Sequence, residues 1–516
     1  MPEGFPSTPS PLDSLVAERR KKLNALLQNG VNPYPYRFSR SHTVKDLLEA
    51  FEKIAEGQEP SECVRIAGRL MTLRDMGKAS FAHVADGRRR VQIYVKKDVV
   101  GEKAYQVFQK ELDLGDFVGL EGTMFRTKTN ELTLRVAHFT LLAKSLRPLP
   151  EKWHGLKDVE IRYRQRELDL LSNPAVADLF AKRSRLIQSL RQTLHQQGFL
   201  EVETPLLQAQ AGGAAARPFE TFHNALQMPL FLRIAPELYL KRLLVGGLDR
   251  VFEIGRVFRN EGIDTKHNPE FTILEAYHAY ADCQDMMSLC EGLITEAAQA
   301  CSGGLSLLVH DKPGLHTTGD PARRTSGGPV SLQPPFARAT LSDLFLKYTG
   351  HDVVGAWAQK KLREVAEKLH ASFDARTPDH KVFDRLFDAH VKPHLWEPTF
   401  VMDYPIEISP LAKKHRSQPG LVERFELFIA GDEIANAYSE LNDPVDQRER
   451  MEKQLALKKS GDEEAELADE SFVTALEHGM PPAGGLGIGV DRLAMLLLGQ
   501  ASIRAVILFP LLKPET

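Results

Sequence analysis

The chain lacks an excess of charge of either sign. Its 66 lysines and arginines against 69 aspartates and glutamates leave a formal charge of −3 over 516 residues. That excludes a histone-like polycation and still permits a basic face, because nucleic-acid binding depends on where the charge sits. Cysteine is scarce. Cys63, Cys283, Cys290 and Cys301 show no CxxC spacing, which argues against a zinc ribbon and, in a chain this long, against a disulfide framework. Long apolar runs are missing too. The run around Leu493 to Leu498 falls well short of the roughly 18–20 residues that span a bilayer. The opening MPEGFPSTPS has neither the basic nor the apolar block of a signal peptide. What remains is a reduced, cytoplasmic enzyme, poor in metal-site motifs and without membrane contact. With 42% hydrophobic and 26% charged residues, the composition is globular, and the length calls for two or three cores.

Four regions follow from the patterning. Residues 1–60 read as a helical N-terminal segment. Leu15, Val16, Leu23, Leu26 and Leu27 recur at helical spacing, and NPYPY at 32–36 breaks the helix. Thr43 then precedes a second helix with Leu47, Leu48, Phe51 and Ile54 on one side. The segment packs on its own domain, or serves as an RNA-contacting arm. Residues 61–147 alternate with period two in strand-like stretches, with the helical AYQVFQKEL between the third and fourth. That is the pattern of a small closed barrel of the OB type. Residues 148–173 begin with prolines and charges and read as a linker that ends in an Arg-rich docking segment. Residues 174–516 form one large α+β region, opened by an amphipathic helix that Gly198 ends. Within it, residues 311–335 are rich in Pro, Gly, Ser and Thr and read as an exposed insertion or mobile loop.

Strand parity sorts the barrel residues. Val84, Val91, Ile93, Val95, Leu132, Leu134 and Val136 are predicted to point inward; Phe81, His83, Gln92, Tyr94, Glu131, Thr133 and Arg135 point outward. An outward aromatic can stack on an unpaired base, while Gln and Glu can bond its Watson–Crick edge. An ionised Glu only accepts, which suits a base offering an N–H, as uracil N3 does. An ordinary solvated sheet face leaves the same pattern.

Three segments of the large region carry chemistry. VFEIGRVFRNE and EFTILEAY alternate as partner strands, with Val257, Arg259 and Glu261 on one face of the first and Phe271, Ile273, Glu275 and Tyr277 on one face of the second. Arg259 can clamp a phosphate or carboxylate, and Glu261 can accept from an exocyclic amine; an exposed cross-strand salt bridge fits the same residues. In PPAGGLGIGVDRLAMLLLG, Gly484, Gly485, Gly487 and Gly489 lead into an apolar helix with Arg492 near its start. Neither P-loop nor GxGxxG spacing is kept. Small residues there allow close approach to a nucleotide, or simply tight helix–strand packing. In RFELFIAGDEIANAYSELND, Glu426, Glu433 and Glu440 recur at seven-residue intervals across two strands joined at Gly431–Asp432. Carboxylates gathered in this way can hold Mg2+ on substrate phosphates or bind a cationic substrate; a solvated acidic face is the plainer alternative.

Together these segments resemble the class II aminoacyl-tRNA synthetases. FRNEG at 258–262 is similar to motif 2, GGLGIGVDR at 484–492 to motif 3, and the helix ending in GFLEVETPLL, with Pro205, to motif 1, the dimer-interface element. YRQRELDL, GGAAARPF, RIAPELYLKRL, FRNEGIDTKHNPEFT and IANAYSELNDP narrow the resemblance to the lysyl-tRNA synthetases of the bacterial class II type, over about residues 12–510. The resemblance implies an OB-fold anticodon-binding domain and an α+β catalytic domain on a six-stranded antiparallel sheet with flanking helices. It implies activation of L-lysine by ATP to lysyl-adenylate, with pyrophosphate released, and transfer of lysine to the 3′ end of tRNA(Lys).

The same resemblance implies roles for individual residues. Arg259 is the catalytic residue, bridging the lysine carboxylate and the α-phosphate. Arg259, Glu261, His267, Asn268, Phe271, Glu426 and Arg492 bind ATP, with Phe271 on adenine. Gly213 and Glu237 meet the α-amino group, while Tyr277, Asn436 and Glu440 line the side-chain end, with Glu440 on the ε-ammonium. Glu426 and Glu433 hold Mg2+, more than one ion per subunit, and Phe81, Gln92 and Glu131 read the anticodon uridines. The implied partners are tRNA(Lys), L-lysine, ATP and a second copy of the chain through the motif 1 region, with no DNA. The chain departs from its relatives in Ala437 and Tyr438, where they often carry Gly and Phe, and in the length of the 311–335 insertion. Aspartyl and asparaginyl relatives share the architecture and would want a cation, not Glu440, facing the substrate side chain.

Overall fold

The computed structural model describes residues 10–515 apart from 56, 59, 88, 151–155, 157, 310–326 and 460–468. The chain divides into two compact units, Met1–Asp158 with Glu167–Pro174, and Val159–Arg166 with Ala175–Thr516.

In the first unit the strands Val64–Asp75, Ala79–Asp86, Arg89–Lys96, Phe117–Arg126 and Leu132–Ala143 close into a barrel in the order first, second, third, fifth, fourth. The third and fifth run parallel and the other pairs antiparallel. The short helices Lys97–Val100 and Glu102–Lys110 fall between the third and fourth strands. Val84, Val91, Ile93, Val95, Leu134 and Val136 are buried and Leu132 packs against them. Thr133 keeps its outward parity, sharing a face with its register partner Gln92, but is fully covered there, its hydroxyl donating to Gln92 Oε1 at 2.8 Å.

The N-terminal helices Pro11–Gln28 and Val44–Ala50 each start on a reciprocal cap, Ser10 with Asp13 and Thr43 with Asp46. Leu26, Val44, Leu47 and Phe51 share one core with the barrel. Leu15 and Leu27 lie exposed. The inward place goes to Arg19, whose guanidinium donates to the carbonyl oxygens of Leu114, Ser145 and Arg147 at 3.0–3.1 Å.

The second unit is built on a mixed sheet of eight strands. In spatial order they are Ala337–Thr340, Thr399–Pro405, Leu421–Ile429, Asp432–Ser439, Ala483–Gly489, Glu270–Ala279, Arg250–Phe258 and Leu200–Glu201. The six central strands are antiparallel, and a short strand pairs in parallel at each edge. The expected six-stranded antiparallel sheet is therefore present, extended by one strand on either side. The helices Pro174–Gln196 and Cys283–Ser302 bury Leu186, Leu190, Leu194, Met286, Cys290 and Leu293 against Phe252, Leu274, Ala437, Leu486 and Ile488. That covers one face of the sheet. The other face is left for a cavity.

Two expectations are corrected, after one that is filled in. In the Arg-rich part of 148–173 the helices Val159–Arg164 and Arg166–Ser172 form, and buried Arg166 donates to the carbonyl oxygens of Leu508, Arg504 and Ile507. The 311–335 segment lies outside the described residues up to 326, but its end is ordered: Gly328–Ser331 pairs antiparallel with Ser306–Val309. The strand carrying Arg259 and Glu261 stops at Phe258, so both residues stand beyond its end.

Lys144 is a second buried cation of the first unit, besides Arg19. Its Nζ lies 2.5 Å from Asp113 and 2.8 Å from Asp116, and its side chain is wholly enclosed. Replacing it by methionine strands the Asp116 carboxylate away from water. Lys144→Met is expected to lower the stability of this unit by ~3–5 kcal/mol, read from its unfolding transition by calorimetry.

Candidate active site

The open face of the sheet lines a cavity of about 590 Å3. Its floor is the glycine strand Ala483–Gly489. Register places Gly489 opposite Ile273, Gly487 opposite Glu275 and Gly485 opposite Tyr277; on the other side Gly487 faces Asn436 and Gly485 faces Tyr438. A Cβ at Gly485 would stand 1.8 Å from Glu440 Oε1 and 2.7 Å from the Tyr277 ring. The glycines thus make room for side chains of the flanking strands.

One end of the cavity gathers cations and an aromatic ring. Arg259 continues the strand pairing through its N–H to the Pro269 carbonyl at 2.9 Å, and its guanidinium lies 5.2 Å from the Phe271 ring centre. Its Nε is buried without a hydrogen-bond partner. Burial, which outweighs the nearby Glu261 and Glu433, holds its pKa below the usual arginine value. An enclosed guanidinium with an unmet N–H is poised for an anionic ligand. Asn268 is similar: its amide donates to the Glu270 carbonyl at 2.6 Å, while its buried Oδ1 has no partner. His267 and Glu261 are exposed at the mouth, and His267 Nδ1 is bonded to Asp264 at 2.8 Å. Arg492 reaches in from the start of the helix Val490–Leu497 and pairs with Glu433 Oε2 at 3.1 Å. Asp491 beside it anchors that helix, accepting from the Thr272 N–H and pairing with Arg183, both at 2.6 Å.

Glu426 and Glu433 stand on paired strands, with Glu426 opposite Asn436 and Glu433 opposite Phe428. Burial pushes the Glu426 carboxyl up to about 7, and the charge of Glu433 adds to the rise. Arg424 at 2.6 Å and the Tyr404 hydroxyl at 3.0 Å donate to Glu426. Like charges held this close are relieved by a cation. Among the described residues no group of three or more His, Cys, Asp or Glu forms a metal site. A divalent ion on this pair must therefore take most of its ligands from phosphate oxygens and water, which is how Mg2+ is commonly held. The residues present fit that ion.

The other end is acidic. Glu237 opens the helix Glu237–Val245, and its Oε1 accepts from Lys241 Nζ and from the Tyr438 hydroxyl, each at 2.6 Å. Gly213 stands above it with φ of +87°, where a Cβ would come 3.2 Å from that of Glu237. Glu275 is 5% exposed and accepts from the Tyr277 hydroxyl at 3.1 Å. Burial, with the charge of Glu237 beside it, pushes its carboxyl up to about 8. Asn436 accepts from Arg424 Nε at 3.1 Å.

Glu440 departs from expectation. It does not line the cavity; it is fully enclosed behind Gly485 and ion-paired with Lys241. A protein ammonium already stands where the sequence reading put only the substrate's. Lys241, Glu275, Arg424, Tyr404 and Asp384 are site residues that the sequence reading missed. A signal existed for the first, since Glu237 and Lys241 are four apart on one helix. Glu275 shares a strand face with Tyr277.

On the barrel, Phe81, Gln92 and Glu131 do come together on one face. The Phe81 and Tyr94 rings lie 4.8 Å apart. Gln92 Nε2 donates to Glu131 at 2.7 Å, and His83 Nε2 lies 3.1 Å from the other Glu131 oxygen.

Comparison with known proteins agrees with this division. Residues 158–513 match the family of class II tRNA synthetases (D, K and N), and residues 64–142 match an OB-fold nucleic acid binding domain. The chain is 51% identical to a lysine–tRNA ligase of Carboxydothermus hydrogenoformans, over 98% of this chain and 99% of that protein. It is 50% identical to one of Moorella thermoacetica, covering 98% of each. For one of Nostoc sp. the identity is 49%, over 98% of this chain and 88% of the relative.

The raised Glu275 carboxyl carries a sign. The folded state binds its proton more tightly than the unfolded chain, so stability falls as pH rises from the ordinary glutamate range to about 8, and the penalty is complete above that. Glu275→Gln should remove the penalty. The ligand-free variant is expected to melt higher than the parent at pH ~8–9, by a few kcal/mol at most, and to match it near pH ~4–5. Melting curves across that range check this.

Proposed function

The chain belongs to the class II tRNA synthetases of the D, K and N group, and on that premise we infer that its reaction is the ATP-driven joining of L-lysine to tRNA(Lys). In the first step a lysine carboxylate oxygen attacks the α-phosphorus of ATP. That bond forms as the bond to the pyrophosphate oxygen breaks, giving lysyl-adenylate and pyrophosphate. In the second, a hydroxyl of the terminal tRNA ribose attacks the lysyl carbonyl carbon, and AMP leaves. Neither step needs a strong acid or base. Positioning and charge neutralisation carry the rate.

The observation that carries the reading is the polarity of the cavity: enclosed carboxylates at one end, and an unmet guanidinium over an aromatic ring at the other. Lysine laid along it puts its ammonium groups against Glu237 and Glu275 and its carboxylate against Arg259. Tyr277 and Asn436 border the side chain, and Gly213 leaves space at the α-amino group. Glu440 acts from behind the wall, through its ion pair with Lys241. Lys241 does not turn the pocket toward an acidic substrate, because Glu237 and Glu440 already take up its charge. Phe271 stacks on adenine, Asn268, His267 and Glu261 border the nucleotide, and Arg492 reaches its phosphates. Mg2+ on Glu426 and Glu433, more than one ion per subunit, would draw charge from the phosphate oxygens.

On the barrel, Phe81 stacks on an anticodon uridine while Gln92 and Glu131 meet its edge. A homodimer through the motif 1 region is supported by apolar side chains left exposed there, Leu200, Leu206 and Leu207. A cytoplasmic setting agrees with four free cysteines, three of them buried, and with the lack, among the described residues, of a helix long and apolar enough to cross a membrane.

Purified protein is expected to exchange pyrophosphate into ATP with lysine, and far less with aspartate or asparagine; exchange driven best by aspartate overturns the pocket assignment. Arg259→Ala should lower the exchange rate by roughly 10²–10³, the scale of losing one oriented donor at a developing charge. Phe81→Ala should leave exchange intact and weaken tRNA use by ~10-fold or more, the worth of one stacked base. Loss of exchange in that variant would contradict the separate roles of barrel and cavity.

A further inference from the structure

One wall of the cavity, Ile408 to Ala412, lies off the main sheet. It follows the short turn Ile406–Ile408, and Ala412 makes a single bridge, to Glu440. Its place is the acidic end, where Leu411 belongs to the apolar cluster of Leu238 and Tyr277. Carbonyl groups enclosed without a sheet ladder need donors from elsewhere. Ile408 takes one from Arg424 Nη1 at 2.9 Å, and Leu411 takes the Leu441 N–H at 3.1 Å. One helix, Pro444–Lys459, supplies the other three carbonyls. Arg450 Nη1 donates to Ala412 at 2.7 Å and to Ser409 at 3.1 Å, and Gln447 Nε2 donates to Pro410 at 3.2 Å. Ser409 also accepts the Ala412 N–H at 3.3 Å.

That helix is itself firmly set. Asp443 caps its start, accepting from the Val445 N–H at 2.9 Å and the Asp446 N–H at 3.3 Å. Asp446, one turn before Arg450, grips the guanidinium at two points, Nε at 3.1 Å and Nη2 at 2.9 Å. This fork fixes the plane of the guanidinium and leaves Nη1 for the wall. Arg450 and Gln447 are both buried, and Met451 of the same helix joins the cluster of Leu411. Gln447 keeps its Oε1 buried with no partner. An apolar side chain would fill that space without the cost of an unmet acceptor, so what the amide contributes there is its bond to Pro410.

Resting on the lysine reading above, we propose that Arg450 is a positioning residue, which holds the Ser409–Ala412 wall at the distance a lysine side chain requires, with Gln447 as its second tie. Arg450 is not among the residues that line the cavity and acts through the wall alone. Ser409, Pro410 and Ala412 are small, and without a ladder their backbone is free to shift unless it is tied from behind. A pocket distinguishes one methylene by roughly 10–200-fold, and only while its walls keep their place. The two carbonyls of Ser409 and Ala412 are three residues apart and share one nitrogen of a fixed plane. A lysine at the same position brings a mobile ammonium in place of that plane and cannot hold both carbonyls and Asp446 in the same geometry.

Pyrophosphate exchange driven by L-lysine and by L-ornithine, one methylene shorter, tests this in the full chain, Arg450→Met, Arg450→Lys and Gln447→Met, with ATP varied as well. In Arg450→Met the preference for lysine in kcat/KM is expected to fall ~10-fold, with lysine KM raised and ATP KM within ~2-fold of the parent. Arg450→Lys should fall between the two. An unchanged lysine-to-ornithine ratio in folded Arg450→Met overturns the proposal, as does a rise in ATP KM equal to that in lysine KM. A merely structural arginine would lower the melting temperature and the active fraction, which scales both amino acids alike and leaves the ratio fixed. If Arg450→Met does not fold, Gln447→Met decides, since it removes an uncharged tie: a lower ratio supports the proposal and an unchanged one overturns it. A parent that is inactive with lysine refutes the lysine reading and the proposal with it, whereas an unchanged ratio in a lysine-active parent and variant refutes the proposal alone.

Discussion

Room for large side chains on one face of the sheet is what the cavity depends on. Tyr277 and Glu275 on one strand, and Tyr438 and Asn436 on the next but one, can share a small space only because the strand between them carries no side chains at Gly485 and Gly487. A Cβ at Gly485 would overlap Glu440. Alternation does the rest, because the opposite face of the same strand sends Leu486 and Ile488 into the core. One glycine pattern thus serves packing on one side and chemistry on the other.

Electrostatics then divides the cavity. At one end, burial leaves Arg259 with an unmet donor; at the other it leaves Glu275 with a tyrosine hydroxyl as its hydrogen-bond donor. Each is an incomplete group held by a complete framework. Asp491, itself buried, secures the helix of Arg492 to the strand of Phe271 through the Thr272 amide, and Arg183 secures Asp491 in turn. A ligand carrying the opposite charge at each end would complete both groups at once.

Much of this could be seen in the amino-acid order. The barrel strands show period two because one face is buried, and the assignment holds even for buried Thr133, which lies on the outer face covered by Gln92. The paired strands around Ile254 and Leu274, the glycine strand and the twin strands bearing Glu426 and Glu433 are visible for the same reason. What escaped depends on contacts distant in sequence. Tyr438 meets Glu237 across 201 residues, and Arg166 meets the Leu508 carbonyl across 342. No local pattern marks either. Lys241 was overlooked because a lysine on a helix is read as solvated, whereas here two carboxylates draw it inside. The residues after Phe258 were extended as strand because their alternation continues past the point where pairing stops.

The barrel face has a consequence for selectivity. Gln92, Glu131 and His83 already satisfy one another, and Thr133 holds Gln92 from beneath. Any group that comes to bond these side chains therefore competes with the contacts they already make to one another. Selectivity at such a surface is a contest between guest and resting host, favouring the guest whose edge replaces what it displaces.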